Sequence, residues 1–205
     1  MVKILHLDAS PRVASRSRQL AQEFVQQWQA AHPDDEIVYR DLQQQQIPHI
    51  TDLWIAADFS PPPAHTPAMT EVIRLSDELV DEFLGCDRYV FSVPMYNFGV
   101  PSNVKAYIDQ IVRVGRTFTM ENGQFRGLVE GKKALFITTQ GATYGNDSPF
   151  AGLDYQTPAI RTAFQFIGVQ DSHFVTASGL DMGDEFRDKA MASAQAELQT
   201  LVTTW

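Results

Sequence analysis

Cysteine is nearly missing from this chain of 205 residues, which has one, Cys86. A single thiol makes no intrachain disulfide and no CxxC metal knuckle, and it fits a reducing compartment. Positive charge is scarce too. Lys and Arg number 16 against 25 Asp and Glu, a formal net charge of −9. So acidic a surface argues against nucleic acid or an anionic membrane as the main partner, though not against a small anionic ligand. No apolar run approaches the length of a membrane-spanning helix. The opening Met1-Val2-Lys3-Ile4-Leu5-His6-Leu7-Asp8 is too short and too interrupted for a secretory signal, so the expected location is the cytoplasm. Catalytic signatures are also few. The five His are scattered, with no HxH or HExxH spacing, which argues against a metal site. His6, Asp8 and Ser10 make a hydrolase triad on paper. However, Ser10 lies past the strand end and no GxSxG elbow is present.

What is there is ordinary globular material, 44% hydrophobic and 20% charged, in a length that suits one domain over residues 1–205. Lys3 to Ala9 reads as a buried strand. Leu20, Phe24, Val25 and Trp28 then recur at helical spacing until His32-Pro33. Ile37 to Leu42 is a second strand. Residues 43–69, with four consecutive Gln and Pro61-Pro62-Pro63, read as a long surface excursion. Trp54 and Phe59 on it suit dimer packing or a substrate lid. Thr70 to Leu84 reads as a helix, with the acidic cluster Asp77-Glu78 and Asp81-Glu82 on a solvated face. Strands follow at Arg88–Val93, Lys133–Thr139 and His173–Ala177, and helices at Pro101–Val114, 158–167 and Asp184–Val202. Strand and helix alternate five times, which predicts an α/β fold: a doubly wound, five-stranded parallel sheet in the order 2-1-3-4-5. Trp28 is expected against the sheet, and Cys86 as a small buried hydrophobe.

In such a sheet, ligands bind beyond the carboxyl ends of the strands. Three loops there are candidates. The first carries Ser10, Ser15 and Ser17 with Arg12, Arg16 and Arg18, and runs into a helix N-terminus. Free N–H groups, the helix dipole and these side chains suit an anion. The loop has no glycine, so one terminal phosphate suits it better than a pyrophosphate; a plain helix cap at Ser15 or Ser17 is the alternative reading. The second is Pro94-Met95-Tyr96-Asn97-Phe98-Gly99-Val100-Pro101, where Tyr96 and Phe98 offer apolar walls to a heteroaromatic ring and Asn97 a donor and an acceptor. A bare strand–turn–helix corner would look the same. The third is Thr139-Gln140-Gly141-Ala142-Thr143-Tyr144-Gly145, where Gly141 permits close backbone approach.

The block Pro94-Met95-Tyr96-Asn97-Phe98, continued by Ser102-Asn103-Val104-Lys105-Ala106-Tyr107-Ile108-Asp109 and Gly115-Arg116-Thr117-Phe118, resembles the FMN-dependent NADH azoreductases, also called FMN-dependent NADH:quinone oxidoreductases. The likeness runs through Glu121-Asn122-Gly123, Gly127-Leu128-Val129, Gly131-Lys132-Lys133 and Phe166-Ile167-Gly168. It implies a flavodoxin-like homodimer with FMN at the subunit boundary. By the resemblance, Ser10 and Ser15-Arg16-Ser17 match the phosphate loop. Met95, Tyr96, Asn97 and Phe98 match the segment around the isoalloxazine, and Thr139, Gln140, Gly141 and Ala142 match a second flavin loop. Two departures stand out. Ala142 stands where the family often has a second glycine, and Thr119-Met120 lacks an aromatic that some members place over the partner's flavin.

The implied reaction passes hydride from NADH, or NADPH, through FMN to a quinone or an azo compound, with donor and acceptor taking turns. No side chain need act as a nucleophile, because the cofactor carries the chemistry. The rival of a different class is a flavodoxin-type carrier that binds FMN without turning over NADH. The long excursion favours the enzyme.

Overall fold

The computed structural model describes every residue except Asn146. Five strands, β1 (Lys3–Asp8), β2 (Glu36–Asp41), β3 (Arg88–Pro94), β6 (Lys133–Thr139) and β7 (Asp171–Ala177), form a sheet in the order β2-β1-β3-β6-β7. Every neighbouring pair in it is parallel. With the two strands of a separate hairpin set aside, this is the expected order 2-1-3-4-5.

Neighbouring residues of a strand point to opposite faces, and both faces are covered here. On β1, Ile4 packs with α1 (Arg16–Ala31) and α6 (Asp184–Thr204), in a layer that includes Leu20, Phe24, Trp28 and Leu198. Leu5 and Leu7 face the other layer, supplied by α3 (Pro67–Leu84), α4 (Ser102–Ile111) and α5 (Gln156–Ile167) through Leu79, Phe83, Tyr107 and Phe164. This is why the central strands are apolar throughout. Trp28 packs against the sheet, as expected. Cys86 is fully buried, and burial pushes its thiol up to about 11.

The stretch 43–69 differs from the expected polar loop. It holds α2 (Asp52–Asp58), opened by Thr51, whose hydroxyl accepts from the Trp54 N–H at 3.2 Å. Trp54 is buried in a small core with Ala57 and Ile73 and also lines a groove beside the hairpin region. Phe59 stays 72% exposed. A second difference is an antiparallel hairpin, β4 (Phe118–Glu121) and β5 (Gln124–Gly127), turned by Asn122 and Gly123, both at positive φ. The hairpin leans on α5 through Phe118 and Phe166, whose ring centroids are 4.9 Å apart.

The acidic face of α3 is not simply solvated. Arg40 grips Glu82 in a two-pronged contact at 2.6 and 2.9 Å, Asp77 accepts from Arg113 at 3.1 Å, and Arg116 pairs with Asp81. Opposite charges from distant segments converge on one helix face, a pattern that a local reading of charge cannot show. No helix among the described residues is long and apolar enough to cross a membrane.

Candidate functional site

At the carboxyl ends of β1, β3 and β6 a cavity of about 180 Å³ opens. Its wall contains Ser10, Ser15, Arg16, Met95, Tyr96, Thr139, Gln140 and Gly141, so the structure brings eight of the sequence-selected residues to one place. Arg12, Pro94, Leu180 and Asp181 complete the wall. Ser17, Asn97, Phe98 and Ala142 are not part of it.

Ser15 caps α1. Its backbone is extended and its hydroxyl accepts from the Arg18 N–H at 3.3 Å. Ser17 is the second residue of α1, fully buried, with its Oγ 3.1 Å from Ser15 Oγ. The first turn of α1 contains no acidic residue. Among the described residues, the N–H groups of Arg16 and Ser17 donate to no backbone carbonyl. Two free amides, a capping hydroxyl, the positive helix end and Arg12 with Arg16 make this end of the cavity attractive to an anion.

The second loop turns sharply. Tyr96 and Gly99 exchange two backbone bonds of 3.0 Å, and Asn97 and Phe98 between them have φ of 47° and 69°. Two central residues at positive φ mark a type I′ turn, which Asn accepts readily and Phe does not. The strain aims Phe98 outward, 45% exposed, with its ring 6.4 Å from that of Tyr144. Below the turn, the Met95 N–H donates to the Thr139 carbonyl at 2.8 Å and joins the second loop to the third.

The third loop is zipped to the segment after β7. Leu180 and Asp181 donate their N–H groups to the carbonyls of Gln140 and Gly141, and Gly179 to that of Ala142. A Cβ at Gly141 would come within 2.5 Å of Asp181 Oδ2, so this glycine keeps room for the carboxylate. Leu180 and Asp181 are not evident from the loops that the sequence singled out. The signal that finds them is topological: β7 is the neighbour of β6, so its following loop shares the same sheet edge.

The paper triad does not assemble. Asp8 Oδ1 takes its hydrogen bond from Ser92 Oγ, while Ser10 Oγ accepts from the Arg12 N–H at 3.3 Å. His6 Nε2 stands 3.5 Å from Asp8, buried and without a hydrogen-bond partner. Among the described residues, no group of three or more His, Cys, Asp or Glu could hold a metal ion.

The model of a family described as having a flavodoxin-like fold matches residues 2–202. An "FMN-dependent NADH:quinone oxidoreductase" of Nostoc punctiforme is 54% identical over 206 residues, covering 100% of both chains. An "FMN-dependent NADH:quinone oxidoreductase 2" of Trichormus variabilis is 48% identical over 207 residues, again covering 100% of both. The crystal structure of an azoreductase from Bacillus anthracis superposes with a TM-score of 0.94 over 100% of each chain at 23% identity, a likeness of fold. With a sheet of this order and relatives this similar along its whole length, the chain belongs to the flavodoxin-like fold family and, within it, to the family of the FMN-dependent NADH:quinone oxidoreductases.

Proposed function

We propose that the chain binds FMN and uses it to pass hydride from NADH or NADPH to quinones and to azo compounds, cleaving the latter to two amines, with donor and acceptor alternating. The observation that carries this reading is the cavity at the ends of β1, β3 and β6, with an anion-seeking end and an aromatic rim, in a chain whose relatives are named FMN-dependent NADH:quinone oxidoreductases.

The residues fit the group. The free amides of Arg16 and Ser17, with Ser10, Ser15 and Arg16 side chains, would hold a terminal phosphate. Ser17 would contribute through its N–H, since its hydroxyl is turned to Ser15. Met95, Tyr96, Asn97 and Phe98 would run along one edge of the ring, and Thr139, Gln140, Gly141 and Ala142 along the other. Backbone donors there would favour negative charge on the ring. When bound, FMN supplies a site that accepts hydride and gives it up again. The chain's own part is to seat the ring, to keep one face open to flat partners and to admit one partner at a time.

A homodimer about a two-fold axis completes the proposal. A groove of about 620 Å³ lies beside the hairpin, lined by Ile50, Ile55, Phe59, Met120, Phe125 and Phe166 among others. Phe59, Met120 and Phe125 are 72%, 62% and 64% exposed, an apolar surface that a second copy would cover. A cytoplasmic location is part of the same reading.

Initial rates at varied NADH and quinone test the shared site. Parallel double-reciprocal lines are expected, because donor and acceptor occupy the same place in turn. Intersecting lines would mean that both are bound together, and the shared site would be wrong.

A further inference from the structure

A buried carboxylate ends β1 two residues before the anion-seeking loop begins. Asp8 is fully buried at the end of β1, where it accepts from Ser92 Oγ and, at 2.8 Å, from the Tyr39 hydroxyl. Burial pushes its carboxyl up, but the contact with His6 and the hydroxyls of Ser92 and Tyr39 outweigh that and hold it below the usual carboxylate range. It is therefore charged at neutral pH. An anion placed above a buried anion is repelled, and strongly so in a medium of low dielectric.

Arg18 links the carboxylate to the loop. Its Nε is 3.6 Å from Asp8 Oδ2, and its Nη1 donates to Asp41 at 2.8 Å and to the Tyr39 hydroxyl at 3.3 Å. Its Nη2 donates to the Ser10 carbonyl at 2.9 Å. One guanidinium thus ties the start of α1 to the ends of β1 and β2 and to the first residue of the loop. A buried ion pair is weak evidence for stability alone, since apolar residues of similar volume often do as well. A planar fork that reaches a loop carbonyl adds something that apolar residues cannot, a fixed orientation of the peptide that carries Ser10.

We propose that Arg18 is a positioning residue for phosphate recognition: held by Asp8 and Asp41, it screens the buried carboxylate and fixes Ser10, and so sets the preference for a phosphorylated flavin over riboflavin. The proposal rests on the FMN reading above, and the experiment separates the two.

Flavin-stripped protein is titrated with FMN and with riboflavin, by flavin fluorescence, for the wild type, Arg18→Lys, Arg18→Met and the pair Asp8→Asn with Arg18→Met. Arg18→Met alone leaves Asp8 buried without its cation, so the double variant, which removes both charges, decides the matter if the single one unfolds. The wild type is expected to bind FMN more tightly than riboflavin. Arg18→Met should reduce that ratio by about tenfold or more, through weaker FMN binding at nearly constant riboflavin binding, and the double variant, with no carboxylate left to screen, should regain part of the ratio but stay below the wild type because Ser10 is no longer held. Arg18→Lys should restore only part of it, because an ammonium cannot serve Asp41 and the Ser10 carbonyl in one plane. Equal weakening of both flavins, or an unchanged ratio in folded variants, would make Arg18 structural only and overturn the proposal. A wild type that binds neither flavin would overturn the FMN reading itself.

Discussion

Trp54 Nε1 donates to Gln110 Oε1 across 2.9 Å, between two side chains that are 5% and 1% exposed. The bond joins α2 to α4, and Arg113 seals it: its guanidinium lies 5.5 Å from the indole ring and donates to Ser76 at 2.6 Å and to Asp58 at 2.5 Å. The excursion is therefore a fixed wall of the apolar groove. Trp54→Phe keeps most of the bulk but strands the Gln110 oxygen, and should cost about 1–3 kcal/mol. Trp54→Ala should cost about 3–5 kcal/mol. Urea unfolding measures both, and a loss below about 0.5 kcal/mol in Trp54→Ala, the size of an ordinary surface change, would mean that α2 is loosely attached.

The strained turn at Asn97 and Phe98 yields a reversal of the usual order of side chains. Phe98→Gly and Phe98→Ala remove the same ring, but only glycine is at ease at a φ of 69°. The glycine variant should be the more stable of the two by about 1 kcal/mol, although alanine normally wins by a similar amount elsewhere. Thermal unfolding of the two variants side by side settles it. Alanine coming out ahead would mean that the turn relaxes without cost.

Two glycines should respond in opposite ways. A Cβ at Gly127 would lie 2.3 Å from the Gly168 nitrogen and the Ile167 carbonyl carbon, backbone atoms that cannot turn aside. Gly127→Ala should cost about 1–3 kcal/mol by prying β5 from the end of α5. The three atoms nearest a Cβ at Gly141 all belong to the Asp181 side chain, whose carboxylate can swing away. Gly141→Ala should leave stability nearly unchanged and weaken FMN in a fluorescence titration. Equal losses of stability in the two variants would contradict this contrast.

Stability should decline on the alkaline side. The Cys86 thiol is pushed from 9.0 up to about 11 by burial. Below about pH 9 both states keep the proton, and between about 9 and 11 the unfolded chain ionises while the folded one does not, so the folded state loses ground as pH rises. Burial raises the Tyr89 and Tyr107 hydroxyls in the same direction and prolongs the decline. Denaturant titrations across this range should show the slope, and Cys86→Ala should flatten its early part. The same slope in the variant would assign the decline to other groups.

The parallel sheet was readable because strands buried on both faces are apolar at every position, and β6 begins and ends where its composition says. The location of the cavity followed from topology, and Ser10, Ser15 and Gly141 from loop chemistry. Other parts depend on partners far away in the chain. Nothing near Trp54 announces Gln110, 56 residues later, and the run of Gln before α2 looks like a linker. Asn122-Gly123 is a strong hairpin signal, but its flanking strands have only four residues each. Ser15 rather than Ser17 caps α1 because the helix begins one residue later than the cap, a boundary that three closely spaced hydroxyls leave open. Asp181 reaches the site only through the return of the loop after β7, and Arg18 finds Asp8 and Asp41 only once β1 and β2 pair.

The central claim is that this fold holds FMN for exchange with a nicotinamide nucleotide rather than for electron carriage alone. The most direct measurement adds NADH to the flavin-loaded protein in the absence of air and follows the visible absorption of the bound flavin, then adds a quinone. The account predicts that NADH bleaches the yellow protein within the mixing time of a turnover experiment and that quinone restores the colour. A protein that binds FMN and stays yellow with either nucleotide would be a carrier, and a colourless protein that takes up no FMN would contradict the account altogether.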